Sequence, residues 1–185
     1  MFDSLNQSEG KILIWIQDNL RVSWLNPIIK GITYLGEAGW FWIVLSILLI
    51  IWKKYRTVGV VSLISLVFSF LVNTIIIKHI FNRVRPYDAV EGLTRLVGKQ
   101  PDSSFPSGHT TAAFSVAIVL LLLMPRKFGV PSLILAVLVM FSRLYVGVHY
   151  PTDVLTALIL TTIYSVVIVM IYRKKFSERF PILRE

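Results

Sequence analysis

A histidine and an aspartate four residues apart, His149 and Asp153, close the segment Ser-Arg-Leu-Tyr-Val-Gly-Val-His-Tyr-Pro-Thr-Asp that begins at Ser142. Pro151 suits the first turn of a helix, which would let Asp153 reach back to one ring nitrogen of His149. That hydrogen bond would fix the imidazole tautomer and leave the other nitrogen free to attack an electrophile. The spacing fits either a nucleophilic histidine oriented by a carboxylate or a simple His–Asp cap at a helix start.

The hexapeptide Phe-Pro-Ser-Gly-His-Thr at residues 105–110 predicts a second helix start. Ser107 is a good N-cap, and Gly108 leaves backbone N–H groups uncovered at the positive end of the helix dipole, where they form an anion site. His109 in the first turn could give a proton to an ester oxygen of a bound anion. Alone, Pro-Ser-Gly-His is more typical of a capped helix with a structural histidine.

Three basic residues lie at the ends of apolar segments. Lys78 and Arg85 are seven residues apart, close to two helical turns, so they can share one face of a helix that Pro86 ends. The two cations would repel each other unless an anion lay between them; the alternative is that both reach lipid headgroups as interfacial anchors. Arg143 lies near the exit of another apolar segment, where an unpaired charge is costly and usually functional.

The composition predicts a membrane protein, whose helices would position these residues. Of 185 residues, 55% are hydrophobic and 16% are charged, and the mean hydropathy is +0.71. Five apolar segments cover residues 40–52, 58–81, 110–124, 130–146 and 154–172. A spanning helix needs about 20 apolar residues, fewer where flanking residues extend it. Asn73, inside the second segment, is expected to hydrogen-bond a neighbouring helix.

The N-terminal region is less apolar than these five segments. Residues 4–25 are amphipathic, so they predict a helix lying in the membrane interface, with a poor first span as the alternative. Residues 26–39 hold a proline and three glycines, which favours an irregular connector. The chain has no cysteine, which excludes thiol catalysis and disulfides.

Basic clusters at residues 53–56, 125–127 and 173–175 fall on one side of the bundle by simple alternation of the spans. The positive-inside rule places that side in the cytoplasm. It also explains the net charge of +9 better than nucleic-acid binding would. The long loop 82–107 and the short turn 147–152 fall on the other side, together with all three motifs.

Three cations, two histidines, a carboxylate and a helix N-terminus would meet at that second side. Phosphoryl chemistry needs this set of groups. The cations and N–H groups would hold the phosphate oxygens as charge redistributes. One histidine would attack while the other protonates the leaving oxygen. A metal site built from His109, His149 and Asp153 would leave the cations unexplained, and a Ser142–His149–Asp153 triad lacks a nucleophile elbow.

The ordered motifs Lys78-x6-Arg85-Pro86, Pro106-Ser-Gly-His109 and Ser142-Arg-x5-His149-x3-Asp153 resemble the signature of the type 2 phosphatidic acid phosphatase (PAP2) superfamily. The resemblance covers about residues 40–172. It is strongest to the short bacterial undecaprenyl-diphosphate and phosphatidylglycerophosphate phosphatases.

The resemblance implies a role for each matching residue. His149 would be the nucleophile that forms a phosphohistidine, Asp153 would orient it, and His109 would be the general acid. The phosphate oxygens would be bound by Lys78, Arg85 and Arg143, assisted by Ser107 and the Gly108 backbone. The family needs no metal or other cofactor. Its core has six helices, so the N-terminal helix would complete the five spans.

We therefore predict an all-α integral membrane bundle that forms a single domain over residues 1–185. It would comprise an interfacial region 1–39, a core of about 40–172 and a basic cytoplasmic tail 173–185. The predicted activity is removal of the terminal phosphate from a lipid phosphate or diphosphate in the cell membrane, at the extracytoplasmic face. Undecaprenyl diphosphate is the first expected substrate, followed by phosphatidylglycerol phosphate and phosphatidic acid.

Two alternative functions use the same residues. A lipid phosphotransferase would pass the phosphoryl group from the phosphohistidine to an alcohol instead of water. A non-catalytic membrane protein would only bind anionic lipids, for which it needs the cations but not the His149–Asp153 pair. A vanadium haloperoxidase shares such a phosphate site, but those proteins are soluble and the hydropathy argues against one.

Overall fold

The computed structural model describes residues 3–176, and every regular element in this part of the chain is a helix, with no strand. Its helices are α1 (Asp3–Leu20), α2 (Leu25–Tyr34), α3 (Trp40–Ile51), α4 (Arg56–Ser69), α5 (Lys78–Phe81), α6 (Pro86–Ala89), α7 (Gly108–Leu123), α8 (Arg126–Tyr145) and α9 (Pro151–Phe176). Short 3-10 turns cover Glu37–Gly39 and Lys53–Tyr55, and a π-helix, Phe70–Ile77, joins α4 to α5. The all-α prediction is confirmed.

All five predicted apolar segments are helical. Three stretches are long and apolar enough to cross a membrane: Lys53–Ala89, Arg126–Tyr145 and Pro151–Lys175. The pair Leu25–Tyr34 and Glu37–Ile51, bent by 47°, would make a fourth, whereas Gly108–Leu123 is apolar but shorter. Large apolar side chains such as Ile64, Ile159 and Ile163 are exposed on the outer surface of the bundle, as expected where helices face lipid.

The short helix α7 forms the centre of the bundle. Its residues are buried around the whole helix circumference, from Ala113 through Val116 to Leu120, and they pack against α4, α8 and α9. A helix that is apolar on all sides must be surrounded by other helices. The residues at the N-terminus of α7 are therefore held by the best-packed element of the protein.

The amphipathic N-terminal helix is confirmed as α1, which is not among the helices apolar enough to span. Leu13 and Ile16 are buried against Tyr145 and Tyr150, and Trp15 on the opposite side is exposed. The predicted irregular connector was wrong over most of its length, because residues 25–34 form α2.

The second apolar segment runs through α4, the π-helix and α5. The prediction for Asn73 is confirmed: its Nδ2 donates to Thr111 Oγ1 (3.0 Å) and Thr161 Oγ1 (3.1 Å) on two other helices. The helix ends at Phe81, because Asn82 adopts the left-handed conformation with φ of 38°. Asparagine is one of the few residues that tolerate this conformation. The expectation that Lys78 and Arg85 share one helix face was therefore wrong.

The basic clusters meet at one end of the bundle. The rings of Tyr55 and Phe128 lie 6.2 Å apart between centroids, and Arg173 Nη2 donates to the Leu122 carbonyl at 2.7 Å. The first contact joins the turn after α3 to the start of α8, and the second joins the end of α9 to the end of α7. The part of the predicted basic tail beyond residue 176 lies outside the described residues.

Candidate active site

The three motifs meet around one cavity of about 250 Å³ at the end of the bundle opposite the basic clusters. Its polar lining includes Glu37, Lys78, Arg85, Asp102, Gly108, His109 and His149. Leu66, Phe70 and Ala112 form an apolar wall beside them. The long loop 82–107, which we expected on this side, supplies Arg85 and Asp102.

His149 lies in the turn between α8 and α9, where it is almost completely buried. Its Nδ1 is 3.5 Å from Asp153 Oδ2 and 3.5 Å from Ser104 Oγ. Asp153 Oδ2 also accepts hydrogen bonds from the Tyr150 N–H (2.8 Å) and from the Ser104 hydroxyl. The carboxylate is therefore fixed from several directions, and Oδ2 is the oxygen that faces the imidazole.

The turn that presents His149 depends on Gly147, whose φ is +76°. A Cβ at this position would lie 2.6 Å from Arg21 Nη2 and 2.7 Å from the Thr94 carbonyl oxygen. Glycine is therefore required by both the backbone conformation and the lack of space. Pro151 begins α9, as its position in the sequence predicts.

Burial lowers the pKa of His149 well below its usual value of 6.5, and the nearby cations Arg85, Arg143 and Lys78 lower this pKa further. Burial and like charge both penalise the protonated imidazole. The imidazole is therefore neutral at neutral pH. Arg85 Nη1 lies 3.3 Å from its Nε2, the nitrogen that faces away from Asp153.

Ser107 caps α7 as predicted, with its side chain accepting from the Thr110 N–H. His109 follows in the first turn, and its Nε2 lies 3.5 Å from Glu37 Oε2. A Cβ at Gly36 would lie only 2.7 Å from His109 Cδ2, so the connector before α3 is closely packed against this ring. Glu37 is exposed, which places a carboxylate at the rim of the cavity beside His109.

Two of the predicted cations share one carboxylate. Lys78 Nζ donates to Asp102 Oδ2 at 2.5 Å, and Arg85 Nη2 donates to Asp102 Oδ1 at 2.6 Å. Both cations are almost fully buried, whereas the Asp102 side chain is 44% exposed. One of the two sequence interpretations placed an anion between Lys78 and Arg85, and Asp102 provides one.

The third predicted cation, Arg143, is 1% exposed near the end of α8. Its Nη1 donates to Thr33 Oγ1 of α2 at 2.5 Å. Within residues 3–176 its Nε and Nη2 have no hydrogen-bond acceptor. Buried guanidinium groups normally have acceptors, so Nε and Nη2 are unpaired donors within the described residues, although Arg143 itself does not line the cavity.

A buried ion cluster behind His149 was not predicted from the sequence. Arg83 Nη1 donates to Asp153 Oδ1 (2.7 Å), and Arg83 Nη2 donates to Glu9 Oε2 of α1 (2.6 Å). Glu9 in turn accepts from the Thr152 N–H at 2.7 Å. The guanidinium also stacks on the Tyr150 ring, 3.9 Å from its centroid. The N-terminal helix is thereby connected to the carboxylate that contacts His149.

Ser142 and the third histidine, His79, lie away from the cavity. Ser142 Oγ donates to the Val139 carbonyl within its own helix, so it is not placed as the nucleophile of a Ser–His–Asp triad. His79, which matched no family position, is exposed and contacts the Ile75 carbonyl. Across residues 3–176, no three His, Cys, Asp or Glu side chains are placed to hold a metal ion.

A helical bundle with lipid-facing apolar surfaces and a cation-lined cavity that contains two histidines defines a membrane-embedded phosphatase. Residues 58–177 match the PAP2 superfamily. The chain therefore belongs to the PAP2 superfamily, as the three ordered motifs indicated.

Two known proteins similar to the chain are undecaprenyl-diphosphatases by name. It is 34% identical to the undecaprenyl-diphosphatase of Sulfolobus acidocaldarius over 76% of this chain and 67% of that protein. It is 35% identical to undecaprenyl-diphosphatase BcrC of Bacillus subtilis over 63% of this chain and 61% of that protein. The chain thus spans about two thirds of the length of these curated relatives.

A solved structure has a similar fold over nearly the whole chain. The transmembrane PAP2-type phosphatidylglycerolphosphate phosphatase of Bacillus subtilis superposes with a TM-score of 0.73 at 27% identity. The match covers 94% of this chain and 87% of that protein. It therefore includes α1 and α2, which lie outside the region that matches the superfamily.

Proposed function

We propose that this protein removes the terminal phosphate from a lipid diphosphate, with undecaprenyl diphosphate as the first substrate to test. The observation that carries this proposal is the convergence of Lys78, Arg85, His109 and His149 on one cavity. Two similar proteins named undecaprenyl-diphosphatase support the choice of substrate. The similar fold of a phosphatidylglycerolphosphate phosphatase makes that lipid the second substrate to test.

In the proposed first step, Nε2 of neutral His149 attacks the terminal phosphorus. A nitrogen–phosphorus bond forms while the bond to the leaving oxygen breaks, and His109 gives its proton to that oxygen. In the second step, water attacks the phosphohistidine, His109 accepts a proton from it, and the nitrogen–phosphorus bond breaks. Asp153 holds the imidazole throughout and stabilises its positive charge.

The phosphate oxygens would be bound by Lys78, Arg85 and the two free N–H groups of Arg143. Ser107 and the backbone at Gly108 would assist them at the positive end of α7. These donors are buried or packed before substrate binds, so they need little rearrangement to stabilise the transition state.

The apolar wall of the cavity suits a substrate whose tail stays in the membrane. Leu66 and Phe70 line the cavity, and Phe70 is 49% exposed on the outer surface of the bundle. A lipid could therefore place its phosphate among the cations while its chain remains in the bilayer. The basic clusters at the opposite end favour an extracytoplasmic site.

A panel of lipid phosphates tests the proposal. Purified protein is incubated in detergent micelles with undecaprenyl diphosphate, phosphatidylglycerol phosphate and phosphatidic acid, in excess chelator, and free phosphate is measured. We expect phosphate release, fastest from undecaprenyl diphosphate. Transfer of the phosphoryl group to an alcohol in place of release would indicate a phosphotransferase, and binding without turnover would indicate a lipid-binding protein.

The two-histidine mechanism predicts a bell-shaped dependence of kcat on pH. Turnover should rise as pH increases through the pKa of His149, because only the neutral imidazole attacks. Since burial and the neighbouring cations lower that pKa, the acid limb should lie well below pH 6.5. Burial and Arg143 lower the pKa of His109 to about 4 when no phosphate is bound, and a bound phosphate dianion raises that pKa again. The alkaline limb of kcat should therefore follow loss of the His109 proton from the substrate complex. A profile that is flat across the histidine range, or an acid limb above pH 6.5, would contradict these roles.

A further inference from the structure

Asp102 occupies the place where the proposed function requires a phosphate. Its two carboxylate oxygens are bound separately, Oδ2 by Lys78 Nζ and Oδ1 by Arg85 Nη2. The same guanidinium places Nη1 3.3 Å from His149 Nε2, the proposed attacking atom. A phosphate bound by both cations next to His149 would thus have to replace the Asp102 carboxylate.

The Asp102 side chain can leave without unfolding the loop. It is 44% exposed, whereas the side chains of Lys78 and Arg85 are 6% and 5% exposed. The backbone of Asp102 is fixed independently, because Arg85 Nε donates to its carbonyl oxygen at 2.9 Å. Rotation of the side chain towards water would therefore free both cations and keep the main-chain contact with Arg85.

We propose that Asp102 determines specificity by competing for the phosphate-binding cations, so that only a headgroup with a terminal phosphate displaces it. This inference rests on the proposed function and adds a selection rule to it. The carboxylate carries one negative charge, and a phosphate monoester carries about 1.5 to 2 negative charges at pH 7. A phosphodiester headgroup carries one charge, so it gains no electrostatic advantage over Asp102.

This competition matters in a membrane, where phosphodiester lipids surround the protein. Burial raises the pKa of Asp102, but Lys78 and Arg85 bring it down to about 2. The carboxylate therefore stays ionised at any pH near neutrality, and only a stronger anion removes it from the cations. The site would therefore not bind ordinary phosphodiester lipids but would still bind terminal phosphates.

The test compares Asp102→Asn with the wild type and with Asp88→Asn. Asp88 lies in the same loop, is exposed, and pairs with Lys99 at 3.3 Å, so this control removes the same charge away from the cavity. Phosphate release is measured in mixed micelles with increasing phosphatidylglycerol, a monoanionic phosphodiester lipid. Inorganic phosphate is the second inhibitor, because it presents the headgroup charge without a lipid tail; turnover is then followed by release of radiolabelled phosphate from substrate labelled in its terminal phosphate.

We expect both inhibitors to bind Asp102→Asn more tightly, with inhibition constants lower by roughly tenfold, because two charge-assisted hydrogen bonds no longer have to be broken. Phosphatidylglycerol should inhibit Asp102→Asn and leave the wild type and Asp88→Asn nearly unaffected. Unchanged or weaker inhibition of Asp102→Asn would overturn the proposal, since it would mean that Asp102 only holds the cations in position.

A binding measurement separates this inference from the proposed function. The shift in thermal unfolding temperature caused by inorganic phosphate needs no turnover, and we expect it to be larger for Asp102→Asn and Asp102→Ser than for the wild type. If no lipid phosphate were hydrolysed by any of these proteins, the phosphatase proposal would fail. An equal or smaller shift in both variants would overturn the role of Asp102 alone.

Discussion

Substitution of His149 by glutamine is expected to lower kcat for lipid phosphate hydrolysis by at least about 10⁴-fold. Glutamine keeps much of the volume and polarity of the imidazole but cannot form a phosphoryl-enzyme intermediate. The phosphate-binding cations Lys78 and Arg85 remain in place, so substrate should still bind. The measurements are phosphate release and direct binding of the lipid to the variant.

The chain offers a matched control in His79→Gln. His79 lies near the same end of the bundle, is exposed and contacts the Ile75 carbonyl of its own helix. The same chemical change there should leave turnover close to that of the wild type. Substantial hydrolysis by His149→Gln would show that another residue attacks phosphorus, and loss of binding instead of turnover would make His149 a binding residue.

A trapping experiment checks the proposed intermediate directly. Rapid quenching of the wild type with radiolabelled substrate should leave a protein-bound label that survives alkali and is lost in acid, as a phosphoramidate bond requires. His149→Gln should carry no such label. Label of the same stability on the variant would place the intermediate on a different nitrogen, such as another histidine or Lys78.

The sequence was most informative where function depends on local spacing. His149 and Asp153 lie four positions apart, and Pro151 lies between them, which was enough to predict their proximity at the start of α9. The N-cap at Ser107 depends only on its immediate neighbours and was also predicted correctly. The apolar segments were predictable because a membrane helix makes all its backbone hydrogen bonds within itself. Its apolar composition alone is therefore enough to identify it.

Local patterns were misleading where a single residue overrode them. Pro86 indicated a helix end at Arg85, but the left-handed conformation of Asn82 ends the helix earlier. Proline and glycine suggested an irregular connector, yet Pro27 falls in the first turn of α2, where a proline is tolerated. Gly31 lies in the same helix with open space around it.

The contacts that no local pattern could reveal join distant parts of the chain. Asp102 reaches Lys78 across 24 positions, and Arg83 reaches Asp153 across 70. Glu9 lies 74 positions from Arg83, in a helix whose sequence indicated only an interfacial role. Each pairing exists because the loop 82–107 folds over the bundle end and α1 packs behind it, which depends on tertiary structure.

Replacement of Arg83 by methionine is expected to impair both stability and turnover. Arg83 and Asp153 have side chains that are 0% exposed, and Glu9 is 6% exposed, so the substitution leaves two buried carboxylates without their shared cation. Breaking a buried ion pair in this way typically costs about 3 to 5 kcal/mol. The free energy of unfolding, measured in detergent, should fall by an amount of that order.

The kinetic effect should fall on kcat and spare KM. Arg83 does not line the cavity and acts through Asp153, which positions His149. A small displacement of the attacking nitrogen can lower a rate by about 10²-fold, whereas phosphate binding by Lys78 and Arg85 is unaffected. Arg83→Lys should recover part of the stability, because the positive charge remains. A lysine cannot reproduce the paired hydrogen bonds that the guanidinium makes to Asp153 and Glu9.

Two comparisons distinguish this support of Asp153 from a general loss of folding. Arg95→Met makes the same change at an exposed position of the same loop and should alter stability by no more than about 0.5 kcal/mol. Glu9→Gln tests the contribution of α1: because Glu9 acts through Arg83, its effect on kcat should largely vanish in the Arg83→Met background. Additive effects of the two substitutions, or an Arg83→Met protein with normal kcat, would show that the N-terminal helix does not support catalysis by His149 through Arg83.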